Sequence, residues 1–316
     1  MSYHKSVLLD EAVQALQLKS EGIYVDGTLG AGGHSEAILK SKPDLKLYAF
    51  DQDQEAIDYA SRRLASYKDR LVIIKDNFAN LRTRLALEKV SSIDGILLDL
   101  GVSSRHLDSG ERGFSFQEDY PLDMRMDNSS ELTAETVLNT YSQEELTRIF
   151  RDYGEEKQAY RIAQEICELR ETKPFRTTGD LSSLLEDLVK ANPKYIIKTK
   201  ARVFMALRIH VNDELGVLKR VLTDAVNILK PGGVISVITF HSLEDKLVKD
   251  FFREEEKECI CPPNFPKCVC DKVSRLKILT RKPIVPCDQE IRENNRSRSA
   301  KLRIAIKRKW GSDESN

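Results

Sequence analysis

Asp26, Gly27, Gly30, Gly32, Gly33 and His34 stand together directly after the apolar run Ile23-Tyr24-Val25. Glycine accepts positive φ at no steric cost and has no side chain to hold a ligand away from the main chain. An acid-ended strand followed by a glycine turn therefore suits a nucleotide or nucleoside. The same turn serves dinucleotides and S-adenosylmethionine, and a plain tight turn would look alike. Asp51 lies about twenty residues further on, where nucleotide-binding α/β units place the carboxylate that accepts from both ribose hydroxyls. A helix N-cap is the other use for Asp51, although Asp53 is as well placed for it.

Other residues are candidates for the same chemistry. Asn77-Phe78 ends an apolar run and suits an adenine by edge hydrogen bonds and ring contact; Phe78 would equally serve as core. Asp99 ends Ile93-Asp94-Gly95-Ile96-Leu97-Leu98, at the carboxyl edge where open α/β sheets keep their ligands. His241 follows another strong strand; it either approaches a substrate or bonds a loop carbonyl. Phe114 and Phe116 either stack on a flipped base or anchor a domain. Cys259-Ile260-Cys261 and Cys268-Val269-Cys270 offer four thiols. Zinc ligands usually have at least two residues between paired cysteines, so a basic loop of reduced thiols is favoured and no metal is expected. Arg296, Arg298, Lys301, Arg303, Lys307, Arg308 and Lys309 form the densest basic region, read either as an RNA-phosphate contact or as a solvated strand and tail.

Strands alternating with helices must position these groups. Apolar runs at 23–25, 45–50, 71–74, 93–98 and 234–240 predict sheet strands, and 300–307 a final one. Lys230-Pro231-Gly232-Gly233 reads as a turn before the fifth strand. From about Asp108 to Lys200 the pattern becomes irregular and then helical. Ser142-Gln143-Glu144-Glu145 forms a capping box, and leucines recur at helical spacing before Asn192-Pro193. The chain is therefore divided as 1–107, an inserted helical domain at 108–200, and 201–316.

The 316 residues are 41% hydrophobic, enough for full cores. Lys+Arg and Asp+Glu are both 50, so the chain is no polycation and any nucleic-acid contact must be a local patch. No apolar run reaches membrane-spanning length, no signal segment follows Met1, and the cysteines are mostly in one late cluster. A cytoplasmic protein with no membrane partner is expected.

Pro-Gly-Gly before a fifth strand is common in class I S-adenosylmethionine-dependent methyltransferases. Longer strings are more specific: His4-Lys5-Ser6-Val7-Leu8-Leu9-Asp10-Glu11, Asp26 through His34, Gly95 through Ser104, Arg112-Gly113-Phe114-Ser115-Phe116, Pro121-Leu122-Asp123-Met124-Arg125-Met126, and Phe240-His241-Ser242-Leu243-Glu244-Asp245. Together they resemble the bacterial small-subunit ribosomal RNA methyltransferase H family, over nearly the whole chain. The resemblance implies an α/β fold, a Rossmann-like class I methyltransferase sheet with an inserted helical, substrate-recognising domain. It also implies S-adenosylmethionine as cofactor and methylation of a cytidine N4 in 16S rRNA. The partners are 16S rRNA in the small ribosomal subunit and, as an option, a second copy in a homodimer. Gly32, Gly33, His34, Asp51, Phe78 and Asp99 match cofactor contacts. His106 falls two residues past Ser103-Ser104, where the family has Gln, and Asn294-Asn295 replaces Asn-Pro.

The chemistry itself favours Asp99 as the candidate catalytic residue. Cytosine's exocyclic nitrogen is a poor nucleophile, so acceptors should take its N–H groups as the lone pair localises. Backbone carbonyls from Leu100 to Val102 are alternatives. An NAD-dependent oxidoreductase on the same fold lacks an evident acid–base site, and a non-catalytic RNA-binding assembly factor is the other competing class.

Overall fold

The computed structural model describes residues 6–101, 112–189, 192–262 and 267–309 of the 316. The chain divides into two compact units, Met1–Gly101 with Leu215–Asn316, and Val102–Glu214.

The first unit opens with α1 (Leu9–Ala15) and then β1 (Ile23–Asp26). It continues through α2 (Gly33–Ser41), β2 (Lys46–Asp51), α3 (Gln54–Arg63), β3 (Leu71–Lys75), α4 (Leu81–Leu87) and β4 (Ile93–Asp99). Asp53 is the N-cap of α3, its side chain accepting from Glu55 N at 3.0 Å. The capping role therefore falls to Asp53 and not to Asp51.

The second unit is helical. It holds α5 (Ala134–Thr140), α6 (Gln143–Asp152), α7 (Ala159–Arg170), α8 (Thr178–Val189) and α9 (Pro193–Val211). The capping box at α6 forms as its sequence predicts: Ser142 accepts from Glu145 N at 3.3 Å, and Glu145 accepts from Ser142 N at 2.8 Å. α9 starts at Pro193, directly after the Asn192 that closes the preceding leucine-rich stretch in the sequence. Proline suits the first helical turn, and Asn192 caps it by accepting from Lys194 N. Phe150, Phe175, Leu181, Phe204 and Leu207 form the core. Phe114 is buried in that core, and Phe116 packs edge-on to Phe204 at 5.4 Å between ring centroids. Both phenylalanines thus anchor this unit.

The chain then returns to the first unit with α10 (Glu214–Ile228), β5 (Leu229–Thr239), α11 (Ser242–Glu256), β6 (Leu276–Ile278), α12 (Asp288–Glu293) and β7 (Lys301–Lys307). Lys230 to Gly233, expected as a free-standing turn, lie inside β5. The register against β4 jumps from Ile93↔Leu229 to Gly95↔Val234, so the extra residues bulge while pairing resumes on both sides.

The sheet order is β3-β2-β1-β4-β5-β7-β6. β1 to β5 pair in parallel, and β7 runs antiparallel between β5 and β6. This is the class I methyltransferase arrangement. Side chains alternate between the two faces. Ile96, Leu98, Ile235 and Val237 meet α10 residues Leu218, Val221 and Leu222 in one core. Leu97, Val234 and Ile238 join Leu8, Ile38 and Leu39 in the other. Because both faces are covered, the inner strands are apolar nearly throughout, which is why they read clearly in the sequence.

Candidate functional site

The strand order reverses between β1 and β4. In open α/β sheets the carboxyl ends of the strands at such a reversal are the usual ligand position. Asp26 and Asp99 end these two strands.

Asp26 is fully buried and organises the turn. Its Oδ1 accepts from Thr28 N at 3.0 Å and its Oδ2 from Ser35 Oγ at 2.7 Å. Gly32 caps α2 at φ 78°, a left-handed conformation that favours glycine. At Gly33 a Cβ would stand 2.0 Å from Ser6 Oγ. The turn is also clamped from outside: Arg63 donates to Ala31 O at 3.0 Å and to Glu36 at 2.8 Å.

Asp51 faces the turn from the end of β2. Its Oδ2 accepts from Gly30 N at 2.9 Å and its Oδ1 from Asp53 N at 2.9 Å. A carboxylate has about four acceptor positions, the chemistry that suits ribose hydroxyls. Phe78 is half-buried at the first turn after β3, its Cβ 3.7 Å from where a Cβ on Gly27 would stand. Its ring joins the sheet core while its backbone stays beside the glycine turn.

His34 is buried. Its Nε2 donates to Val7 O at 3.1 Å, because a carbonyl can only accept. That leaves Nδ1 facing Asp99 Oδ2 at 3.5 Å. The Asp99 N–H donates to Thr28 Oγ1 at 2.7 Å. Asp99 retains 23% side-chain exposure, yet its Oδ1 is buried with no hydrogen-bond partner among the described residues. Burial pushes its carboxyl up to about 6; His34 counters this, while Asp26 and Glu244 add to it. The structure therefore brings His34, Phe78, Asp99 and the glycine turn to one edge of the sheet. A buried acceptor lacking a donor is costly unless a ligand supplies one.

His106 lies outside the described residues. His241 is held structurally, through a backbone N–H and not the loop carbonyl expected of it. It is the N-cap of α11, with Nδ1 accepting from Glu244 N at 3.4 Å, while Glu244 accepts from Phe240 N at 2.8 Å. The basic segment is partly consumed by the fold. Arg303 is buried against Asp245 at 2.5 Å, Lys301 reaches the same carboxylate at 3.1 Å, and Lys307 donates to the Val226 carbonyl. Arg296, Arg298 and Lys309 stay exposed.

Sequence reasoning missed Thr28 and Ser6. Thr28 reads as one more turn residue, and its link to Asp99 spans 71 positions. Glu244 was detectable, three residues after an N-cap position, had histidine been admitted as a cap.

A family model, that of the MraW methylase family, matches residues 1–308. The chain is 52% identical over 307 residues to the ribosomal RNA small subunit methyltransferase H of Carboxydothermus hydrogenoformans, covering 96% of this chain and 97% of that protein. It is 50% identical over 315 residues to the like-named protein of Paenibacillus sp. (strain JDR-2), covering 97% and 100%. The protein of that name in Clostridioides difficile is 48% identical over 307 residues, covering 96% and 99%.

Proposed function

The chain belongs to the MraW methylase family, and from that premise we propose that it methylates N4 of a cytidine in 16S rRNA of the small ribosomal subunit, using S-adenosylmethionine. The observation that carries the reading is the buried Oδ1 of Asp99, which has no hydrogen-bond partner among the described residues and stands at the carboxyl ends of β1 and β4, beside the glycine turn.

The residues present fit the cofactor. Gly32, Gly33 and His34 would hold it at the start of α2, Asp51 at the ribose, and Phe78 and Asp99 at either side. S-adenosylmethionine supplies a sulfonium methyl when bound. Asp99 would take an N–H of the exocyclic amine as its lone pair localises, which stabilises the positive charge that develops there. The Thr28 bond fixes the main chain of Asp99, so the carboxylate turns about its own side-chain bonds only.

The helical unit and the exposed Arg296, Arg298 and Lys309 are read as the rRNA contact, with phosphate neutralisation supplied locally by a chain of zero net charge. Among the described residues no helix is long and apolar enough to cross a membrane. The reading places the chain in the cytoplasm with the small subunit, and sedimentation tests the homodimer.

The experiment is incubation of undermethylated small subunits with labelled cofactor, followed by mass-spectrometric mapping of the modified cytidine. Label on one cytidine N4 is expected. RNA binding without label would make the chain an assembly factor.

A further inference from the structure

Cys259, Cys261, Cys268 and Cys270 lie between α11 and β6, and methyl transfer uses none of them. Their sulfurs nevertheless meet. Cys259–Cys268 and Cys268–Cys270 are 3.5 Å apart, Cys270–Cys259 3.7 Å and Cys261–Cys268 4.0 Å, and all four lie within 4.8 Å of one another. Disulfide sulfurs would stand about 2.05 Å apart. Four sulfurs held at about 2.3 Å around one tetrahedral ion are about 3.8 Å apart, and the observed separations straddle that value.

The backbone supports the same reading. Ile260 N, Cys261 N and Val269 N donate to the sulfurs of Cys270, Cys259 and Cys261 at 3.4, 3.3 and 3.4 Å. N–H groups aimed at sulfur favour thiolate, the ligand form, over thiol. The spacer side chains turn outward, Ile260 at 55% and Val269 at 65% exposure. No apolar core explains why four sulfurs gather there, because Cys259 and Cys268 are themselves exposed.

We infer that Cys259, Cys261, Cys268 and Cys270 bind one structural zinc ion that pins the segment between α11 and β6. This revises the expectation drawn from the one-residue spacers. In the folded chain Cys268 and Cys270 reach 3.5 Å across a single residue, so the tight spacing is no obstacle. Sulfur-only tetrahedral ligation suits zinc or a single iron; zinc is the assignment because the site has no redox partner in the proposed chemistry. Each cysteine gives its proton to solvent as it binds.

The test is elemental analysis of the intact chain, purified without chelator from zinc-supplemented culture. About one zinc per chain is expected. A mercurial thiol reagent should release that zinc in step with the loss of four thiols. Cobalt substitution should give the visible and near-ultraviolet bands of tetrahedral thiolate ligation. Cys259→Ser combined with Cys268→Ser should lower zinc at least tenfold. Cofactor affinity, measured on the same preparations, shows whether the variant is folded and lets this inference fail separately from the methyltransferase reading. Freely titrating thiols with less than a tenth of a zinc per chain, iron in place of zinc, or disulfides found by mass spectrometry would overturn it.

Discussion

The backbone N–H of Asp99 donates to Thr28 Oγ1 at 2.7 Å, joining the end of β4 to the turn after β1. The bond holds the main chain of Asp99 while, among the described residues, its carboxylate meets only His34 Nδ1, at 3.5 Å. A carboxylate placed this way gains little from its own fold, so its ionisation works against stability.

Asp99→Asn keeps the shape and removes the charge. Methyl transfer should fall roughly 10²-fold or more, the scale for losing one aimed electrostatic contact. Stability should move the other way. The folded carboxyl titrates at about 6, above its ordinary value, so its contribution is present in acid and lost as pH rises through about 6. At pH 8 the variant should be more stable by about 1–2 kcal/mol, less than the full shift implies because the side chain is partly exposed, and near pH 4 the gain should vanish. Denaturant titrations at both pH values check this; a loss of stability at pH 8 would refute it.

The rate should carry the same group. With Asp99 ionised as the acceptor, single-turnover methylation should fall about tenfold per pH unit below about 6. A flat profile down to pH 5 would remove Asp99 from the acceptor role.

Asp51→Ala should weaken S-adenosylmethionine binding by roughly 1.5–3 kcal/mol, about 10- to 150-fold, the scale of a hydrogen bond to a charged group. Asp53 still caps α3, so the helix should survive. Calorimetry measures the affinity, and an unchanged value would take Asp51 out of the site.

Gly33→Ala should force Ser6 Oγ, 2.0 Å from the added Cβ, to rotate away and leave Ser6 Cβ in tight contact at 3.3 Å, which should cost about 1 kcal/mol and loosen cofactor binding. Adding Ser6→Gly should restore most of it, and a double-mutant cycle of melting and binding reads the coupling.

The two kinds of arginine near the end of the chain should separate cleanly. Arg303→Met removes the main partner of Asp245. Burial raises that carboxyl, and the bonds from Arg303 and Lys301 outweigh it and hold it below its ordinary value. Losing the arginine should cost about 3 kcal/mol of stability. Arg298→Ala should leave stability unchanged and reduce the salt dependence of RNA binding by about 0.7 in log–log slope. Equal effects of both changes on melting would refute this division.

Much of the fold is legible in the residues. The inner strands announce themselves because both faces are covered, and Ser142 with Glu145 marks a helix start by local hydrogen bonding alone. β6 is invisible because Leu276-Lys277-Ile278 is too short to show a period. Pro231-Gly232-Gly233 misleads because a bulge needs the same residues as a turn. Asp51 and Asp99 are readable as strand-end acids. The bond from Asp99 to Thr28 and the burial of Arg303 against Asp245 are not, since they join positions 71 and 58 apart. The four sulfurs escape a spacing rule because that rule describes a different loop shape.

β7 is the last strand among the described residues, yet it sits between β5 and β6. During synthesis the outer amides of β5 stay unpaired until residues 301–307 emerge, and until then β6 has α11 beside it but no partner strand. A product stopped by premature termination before Lys301 therefore exposes a raw sheet margin and is marked for aggregation or proteolysis.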